Sequence, residues 1–298
     1  MNTIEKALLK QQAAVEKNEI ENANQEQPNS IEKAEKIFSE TEKVSTKNVA
    51  GKANKQILEI DLDRLKLKGF VSTNTDRQLI NEEYRAIKRK VLDNAFGALS
   101  KSLTNSNIIM VTSSRPSEGK TFTAVNLALS IALEQDKTVL LVDADVLKPN
   151  IMRTLELPNQ DGLMEYLLGE KQDISEIMCR TNVPKLTIIP AGKSHHLSTE
   201  LLASEKMYEA VEEFANRYPD RVVIVDTPPL LGINETAILA NLAGQAIIVA
   251  EENKTKLADI QKAVSNLNTE MAIGFVVNKA QSINHDGAGY GYYYGGGH

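Results

Sequence analysis

Between residues 107 and 278, short apolar runs rich in β-branched residues alternate with longer stretches in which apolar positions recur every three or four residues. The runs Ile108–Thr112, Val139–Asp143, Leu186–Ile189, Val222–Asp226, Ala246–Ala250 and Ile273–Val277 predict strands. Several are apolar at every position, as expected for strands covered on both faces. The intervening patterns predict helices near 119–134, 198–217, 234–242 and 255–268. Regular alternation of the two predicts right-handed βαβ units and a mostly parallel sheet with helices on both faces.

Upstream the pattern changes twice. Ile80, Tyr84, Ile87, Val91, Ala95 and Leu99 predict an amphipathic helix over 76–101, with Glu82, Glu83, Arg85, Lys88, Arg89 and Lys90 on its polar face. Residues 21–55 are rich in Glu, Lys, Asn, Gln and Ser and cannot bury enough apolar area to offset their ordering entropy. The expected organisation is a short amphipathic helix at 1–20 (Ile4, Leu8, Leu9, Val15), a largely disordered linker at 21–75, an α/β domain at 76–280, and a flexible tail at 281–298.

The tail changes the picture most. It carries Tyr290, Tyr292, Tyr293 and Tyr294 among glycines, half the tyrosines of a 298-residue chain that is only 5% aromatic. Glycine leaves the backbone free, so these phenols are expected on a mobile leash. The net charge of −6 gives no electrostatic case for a nucleic-acid partner. One cysteine, Cys179, excludes an intramolecular disulfide and a Cys-based metal site. No apolar run is long enough to cross a bilayer and the first residues do not form a signal peptide, so the expected location is the cytoplasm.

The first predicted strand runs into Ser114-Arg115-Pro116-Ser117-Glu118-Gly119-Lys120-Thr121, followed by Phe122 and an apolar helix. This is a P-loop with Ser at its first glycine position, in the strand–loop–helix context the motif requires. Backbone N–H groups at a helix N-terminus meet a polyphosphate, Lys120 reaches its terminal phosphates, and the Thr121 hydroxyl suits Mg²⁺. The second strand ends in Asp143-Ala144-Asp145 and the fourth in Asp226-Thr227-Pro228-Pro229. In a parallel sheet the carboxyl ends of strands share one edge, so these carboxylates are expected beside the P-loop. Taken singly, each aspartate could equally cap a helix or a turn.

As an ordered set, the P-loop, the Asp-Ala-Asp…Lys148-Pro149 segment, the Asp-Thr-Pro-Pro segment and the tyrosine tail resemble the bacterial tyrosine kinases over about residues 76–298. The stretches MNTIEKALLK, NEEYRAIKRKVL and PAGKSHHLSTELLASEKM are similar to the stand-alone type associated with exosortase-linked exopolysaccharide systems. The resemblance implies an ATP- and Mg²⁺-dependent tyrosine autokinase that modifies Tyr290, Tyr292, Tyr293 and Tyr294 in trans. It implies catalytic roles for Lys120, Asp143, Asp145 and Asp226, with Thr121, Asp143 and Asp226 at the metal. Asp143 would also activate the phenol, and Asn278 would contact adenine. It further implies a ring-like homo-oligomer packed through Glu82, Arg85 and Lys88, where the family's third position is Arg. A separate membrane polysaccharide co-polymerase would act as activator at the inner membrane, opposed by a tyrosine phosphatase. His195 and His196 replace the family's usual loop and are expected to be non-catalytic. A positioning ATPase of the MinD/ParA kind and a non-catalytic ATP-binding scaffold remain the alternatives. The first is disfavoured by Arg115 where those proteins carry Lys.

Overall fold

A computed structural model describes residues 57–72 and 78–280. The expected helix at 1–20 and the tyrosine tail lie outside the described residues.

The six expected strands are present as β1 (Ile108–Ser113), β2 (Thr138–Asp143), β4 (Leu186–Ile189), β5 (Arg221–Asp226), β6 (Gln245–Glu251) and β7 (Ala272–Asn278), joined by a two-residue β3 (Cys179–Arg180). They form one sheet in the order β3-β4-β2-β5-β1-β6-β7. All pairs are parallel except β3 with β4. Alternate residues of each central strand enter different cores. Val139, Leu141, Ile109 and Val111 pack on one face, Leu140, Val142 and Ile108 on the other. This two-sided burial is why the strands lack a polar period.

The helices are α1 (Leu62–Leu67), α2 (Leu79–Phe96), α3 (Lys120–Ala132), α4 (Ile151–Thr154), α5 (Leu163–Leu167), α6 (Ser198–Leu202), α7 (Glu205–Asn216), α8 (Asn234–Ala240) and α9 (Leu257–Val264). The single helix expected over 198–217 is two, because Ser204 caps α7 by accepting from the Met207 N–H. The helix expected over 76–101 ends at Phe96. Gly97 is extended there, and Leu99 sits in a following 3₁₀ turn with its side chain exposed.

Two expectations are corrected. Lys88, placed on the polar face of α2, is only 7% exposed. Its long stem turns inward and its Nζ lies 3.1 Å from the Ser130 carbonyl and 2.6 Å from Glu134 Oε1. The carbonyls of the last turn of α3 and an adjacent carboxylate attract a cation there, while the methylenes cover apolar surface.

The second correction concerns residues 57–72, which were expected in the linker. Leu58, Ile60, Leu65, Phe70 and Val71 are buried in the larger core. The Leu58 N–H donates to the Arg180 carbonyl at the β3 edge, and the Val71 N–H donates to Asn126 Oδ1 on α3. Phe70 rests on Phe122 with ring centroids 4.7 Å apart. Phe70→Ala is therefore expected to lower folding stability by about 3–5 kcal/mol, the range for emptying a buried aromatic site. Urea denaturation checks this; a loss below about 1 kcal/mol would show the segment is not part of the fold.

Candidate functional site

The strand order explains the site. β5 lies between β2 and β1, and Asp143 and Asp226 are register partners on neighbouring parallel strands. Asp226 also pairs in register with Val111, two residues before the end of β1. The chain leaves β1 into the P-loop and re-enters as α3, whose first residue is Lys120. Three separate segments thus deliver their polar groups to one sheet edge.

Gly119 has φ +103°, and a Cβ there would fall 1.8 Å from Asn278 Nδ2. Only glycine tolerates both the left-handed backbone and that approach. No side chain caps the N-terminus of α3, so the N–H groups of its first turn remain available to an anion.

Lys120 Nζ lies 2.7 Å from Asp145 Oδ2, and the pair is largely buried. Burial pulls the Lys120 ammonium down, but Asp226, Asp145 and Asp143 outweigh it and hold the lysine charged above its ordinary range. Thr121 Oγ1 donates to Asp226 Oδ2 at 2.6 Å. The other oxygen, Asp226 Oδ1, is buried and unpartnered, as is Ser114 Oγ. Burial pushes the Asp226 carboxyl up to about 8, against the opposing pull of Lys120. Burial also pushes Asp143 up to about 6.

Asp143 does not present both oxygens to a metal, because Oδ2 accepts from the Asn150 and Ile151 N–H groups, each at 3.0 Å. Oδ1 accepts a single longer bond, 3.3 Å, from the Asp145 N–H. Asp143 thus anchors the start of α4, the turn role open to any aspartate after a strand, and keeps one lightly engaged oxygen. Asp145 grips Lys120 and the Lys148 N–H. Phe122 directs its ring into the core. Asn278, expected at adenine, donates its amide to the Glu118 carbonyl at 2.9 Å and so braces the P-loop. Arg115 forms a two-point ion pair with Asp259, at 2.7 and 2.9 Å. Pro116 and Ser117 lie exposed on the loop. Glu82 and Arg85 pair with each other on the exposed side of α2, and the inward Lys88 does not join them. His195 and His196 stack on one another at 4.3 Å, with His195 Nδ1 accepting from the Leu197 N–H.

Among the described residues, no group of three or more His, Cys, Asp or Glu side chains is placed to hold a metal by itself. The unpartnered Asp226 oxygen beside the Thr121 hydroxyl fits Mg²⁺, which commonly takes one or two carboxylates and completes its shell with phosphate oxygens and water. Residues outside the motifs, notably Thr255, Asp259 and Lys279, also meet at the loop, on Glu118, Arg115 and Ser117. No periodicity or spacing marks them in advance.

Among the described residues no helix is long and apolar enough to cross a membrane. Residues 106–273 match the family model described as AAA domain. The tyrosine-protein kinase YwqD of Bacillus subtilis is 32% identical over 228 residues, covering 76% of this chain and 91% of YwqD. The tyrosine-protein kinase ptk of Acinetobacter johnsonii is 32% identical over 182 residues, covering 60% of this chain but only 24% of ptk. The solved kinase domain of the Escherichia coli tyrosine kinase ETK superposes with a TM-score of 0.57 at 28% identity, covering 71% of this chain and 80% of that one.

Proposed function

Since the chain belongs to the bacterial tyrosine-protein kinases, we propose that it is an ATP-dependent tyrosine autokinase whose acceptors are Tyr290, Tyr292, Tyr293 and Tyr294 of a neighbouring copy. The observation that carries this is the meeting of Lys120, Thr121 and the carboxylates of residues 143, 145 and 226 at one sheet edge.

The α3 N-terminus and the P-loop amides receive the ATP phosphates. Lys120, held in place by Asp145, neutralises charge on the phosphoryl group in flight. Thr121 and Asp226 would hold Mg²⁺, which when bound would supply positive charge to the phosphate oxygens. The phenol oxygen bonds to the γ-phosphorus as the bond to the ADP oxygen breaks, and the phenolic proton passes to Asp143 Oδ1. A carboxyl raised to about 6 suits that task, being ionised at neutral pH yet more basic than an ordinary aspartate. Of the described tyrosines, Tyr84 is excluded as an acceptor because its phenol is buried and pushed up to about 12 by that burial.

Each phosphate adds about −1.5 to −2 charge at neutral pH. A heavily modified tail is then repelled by the carboxylates and leaves, switching a ring-like assembly through Glu82 and Arg85 to free subunits. The setting that fits is exopolysaccharide production, with a separate membrane co-polymerase as activator and a phosphatase resetting the tail.

The test is incubation with Mg·ATP, with and without the activator's cytoplasmic segment, and location of phosphate by mass spectrometry. Phosphate on Tyr290–Tyr294 that is lost in Lys120→Met supports the kinase. Inorganic phosphate alone points to a positioning ATPase, and no turnover to a scaffold. A fully modified form that stays oligomeric overturns the switch.

A further inference from the structure

The P-loop is braced from outside by two segments distant from it in sequence. One is the turn after β6, from Glu251 to Lys256. The other is the end of β7. Glu118, 4% exposed, accepts the Arg115 N–H on Oε2 at 2.8 Å and the Thr255 hydroxyl on Oε1. The same hydroxyl oxygen accepts the Glu251 N–H at 2.8 Å. Lys279 Nζ bridges the Ser117 carbonyl, at 2.9 Å, and Glu251 Oε2, at 3.0 Å. These contacts surround a loop that holds a non-glycine residue in the left-handed region, since Ser117 has φ +70°.

Thr255 is the one residue in this set whose hydroxyl both accepts from the end of β6 and donates to the P-loop. Its hydroxyl links the end of β6 to Glu118, and Glu118 in turn fixes the amide of Arg115. Valine there would match the shape and leave a buried carboxylate short of a donor, which costs more than the lost bond itself.

We propose that Thr255 is a positioning residue for nucleotide: through Glu118 it holds the P-loop in the curvature that receives phosphates. This rests on the nucleotide-binding part of the reading above and not on which group receives the phosphate. It predicts a split effect. A relaxed loop weakens nucleotide binding, while Lys120, held by Asp145 at the start of α3, and Asp143 and Asp226, on β2 and β5, still act on whatever is bound.

The experiment uses the full-length chain and titration calorimetry with Mg·ADP. Thr255→Val is expected to weaken Mg·ADP binding about tenfold, the lower end for a hydrogen bond to a charged group. KM for ATP should rise in step while kcat changes by less than about twofold. Thr255→Ser, which keeps the hydroxyl, should restore the wild-type affinity. In a Glu118→Gln background, Thr255→Val should weaken binding far less than it does alone, because the two act in series. Wild-type affinity in Thr255→Val, failure of Thr255→Ser to restore it, or an undiminished effect in the Glu118→Gln background each overturns the proposal. If the wild type binds Mg·ADP but transfers no phosphate to tyrosine, the autokinase reading fails while the Thr255 inference is still decided by affinity. If the wild type does not bind Mg·ADP, both fall.

Discussion

Lys120→Met is expected to reduce phosphate transfer to tyrosine by about a thousandfold or more, the scale for removing a buried group aimed at developing charge. The side chain begins α3 and is gripped by Asp145 at 2.7 Å. Methionine keeps the stem and removes the only cation in contact with the carboxylate cluster among the described residues. A second effect should accompany the first. Asp145 is only 3% exposed, and breaking a buried pair by removing one partner costs about 3–5 kcal/mol. That loss should shrink on acidification, because the stranded carboxylates then take up protons. Initial rates of phosphotyrosine formation and urea titrations at two pH values measure both effects. Transfer within tenfold of wild type would remove Lys120 from the mechanism.

Asp226→Asn should separate activity from stability. Transfer should fall by about 10²–10³-fold, because the oxygen left to receive a cation becomes an uncharged amide. The unliganded protein should nonetheless become more stable at alkaline pH. Asp226 is fully buried, and its carboxyl is pushed up to about 8, chiefly by burial. An acid whose pKa is higher folded than unfolded takes up a proton on folding. Its contribution to stability therefore declines as pH rises from about 4 to about 8, and is level above that. Asparagine lacks this dependence, so the gap between variant and wild type should widen over that window. At pH 8.5 a gain on the order of 5 °C in Tm is reasonable for a domain of this size. With Mg·ADP the order should reverse, since ligand stabilises only a protein that binds it. A variant less stable than wild type at pH 8.5 without ligand would show that the ionised carboxylate is already well compensated.

The elements legible in the sequence were those whose signal is local. β1, β2, β5 and β6 are apolar without period, and the residues at their carboxyl ends follow from counting. That residues 120, 121, 143, 145 and 226 share one edge follows from parallel topology; that they touch follows from β5 lying between β2 and β1. What escaped depends on partners distant in sequence. Lys88 looks like a surface charge until the end of α3 is set beside it. Residues 57–72 are half apolar, eight positions in sixteen, unlike the polar stretch before them; what fixes them is the set of backbone partners offered by β3 and Asn126. Asp143 shares its motif with a catalytic reading and with a turn anchor, and only the amides of Asn150 and Ile151 distinguish its two oxygens. Asn278, assigned to adenine by resemblance, has a second partner that no spacing announces, the Glu118 carbonyl.

The route of residues 57–72 also sets how the protein responds to tension. The strap is fastened at one end to the outermost strand of the sheet, through the Leu58 and Asn182 backbones, and at the other to the helix that starts at Lys120, through Asn126. A pull on the chain at residue 57 would first peel the bridge at β3, a zipper-like geometry that yields one bond at a time. Beyond that edge the segment is held by Arg64 and Lys68 on Glu156 and by the buried Leu65 before Val71 meets Asn126 on α3. A pull on residue 57 is thus taken up by several contacts at the margin of the sheet before it reaches α3.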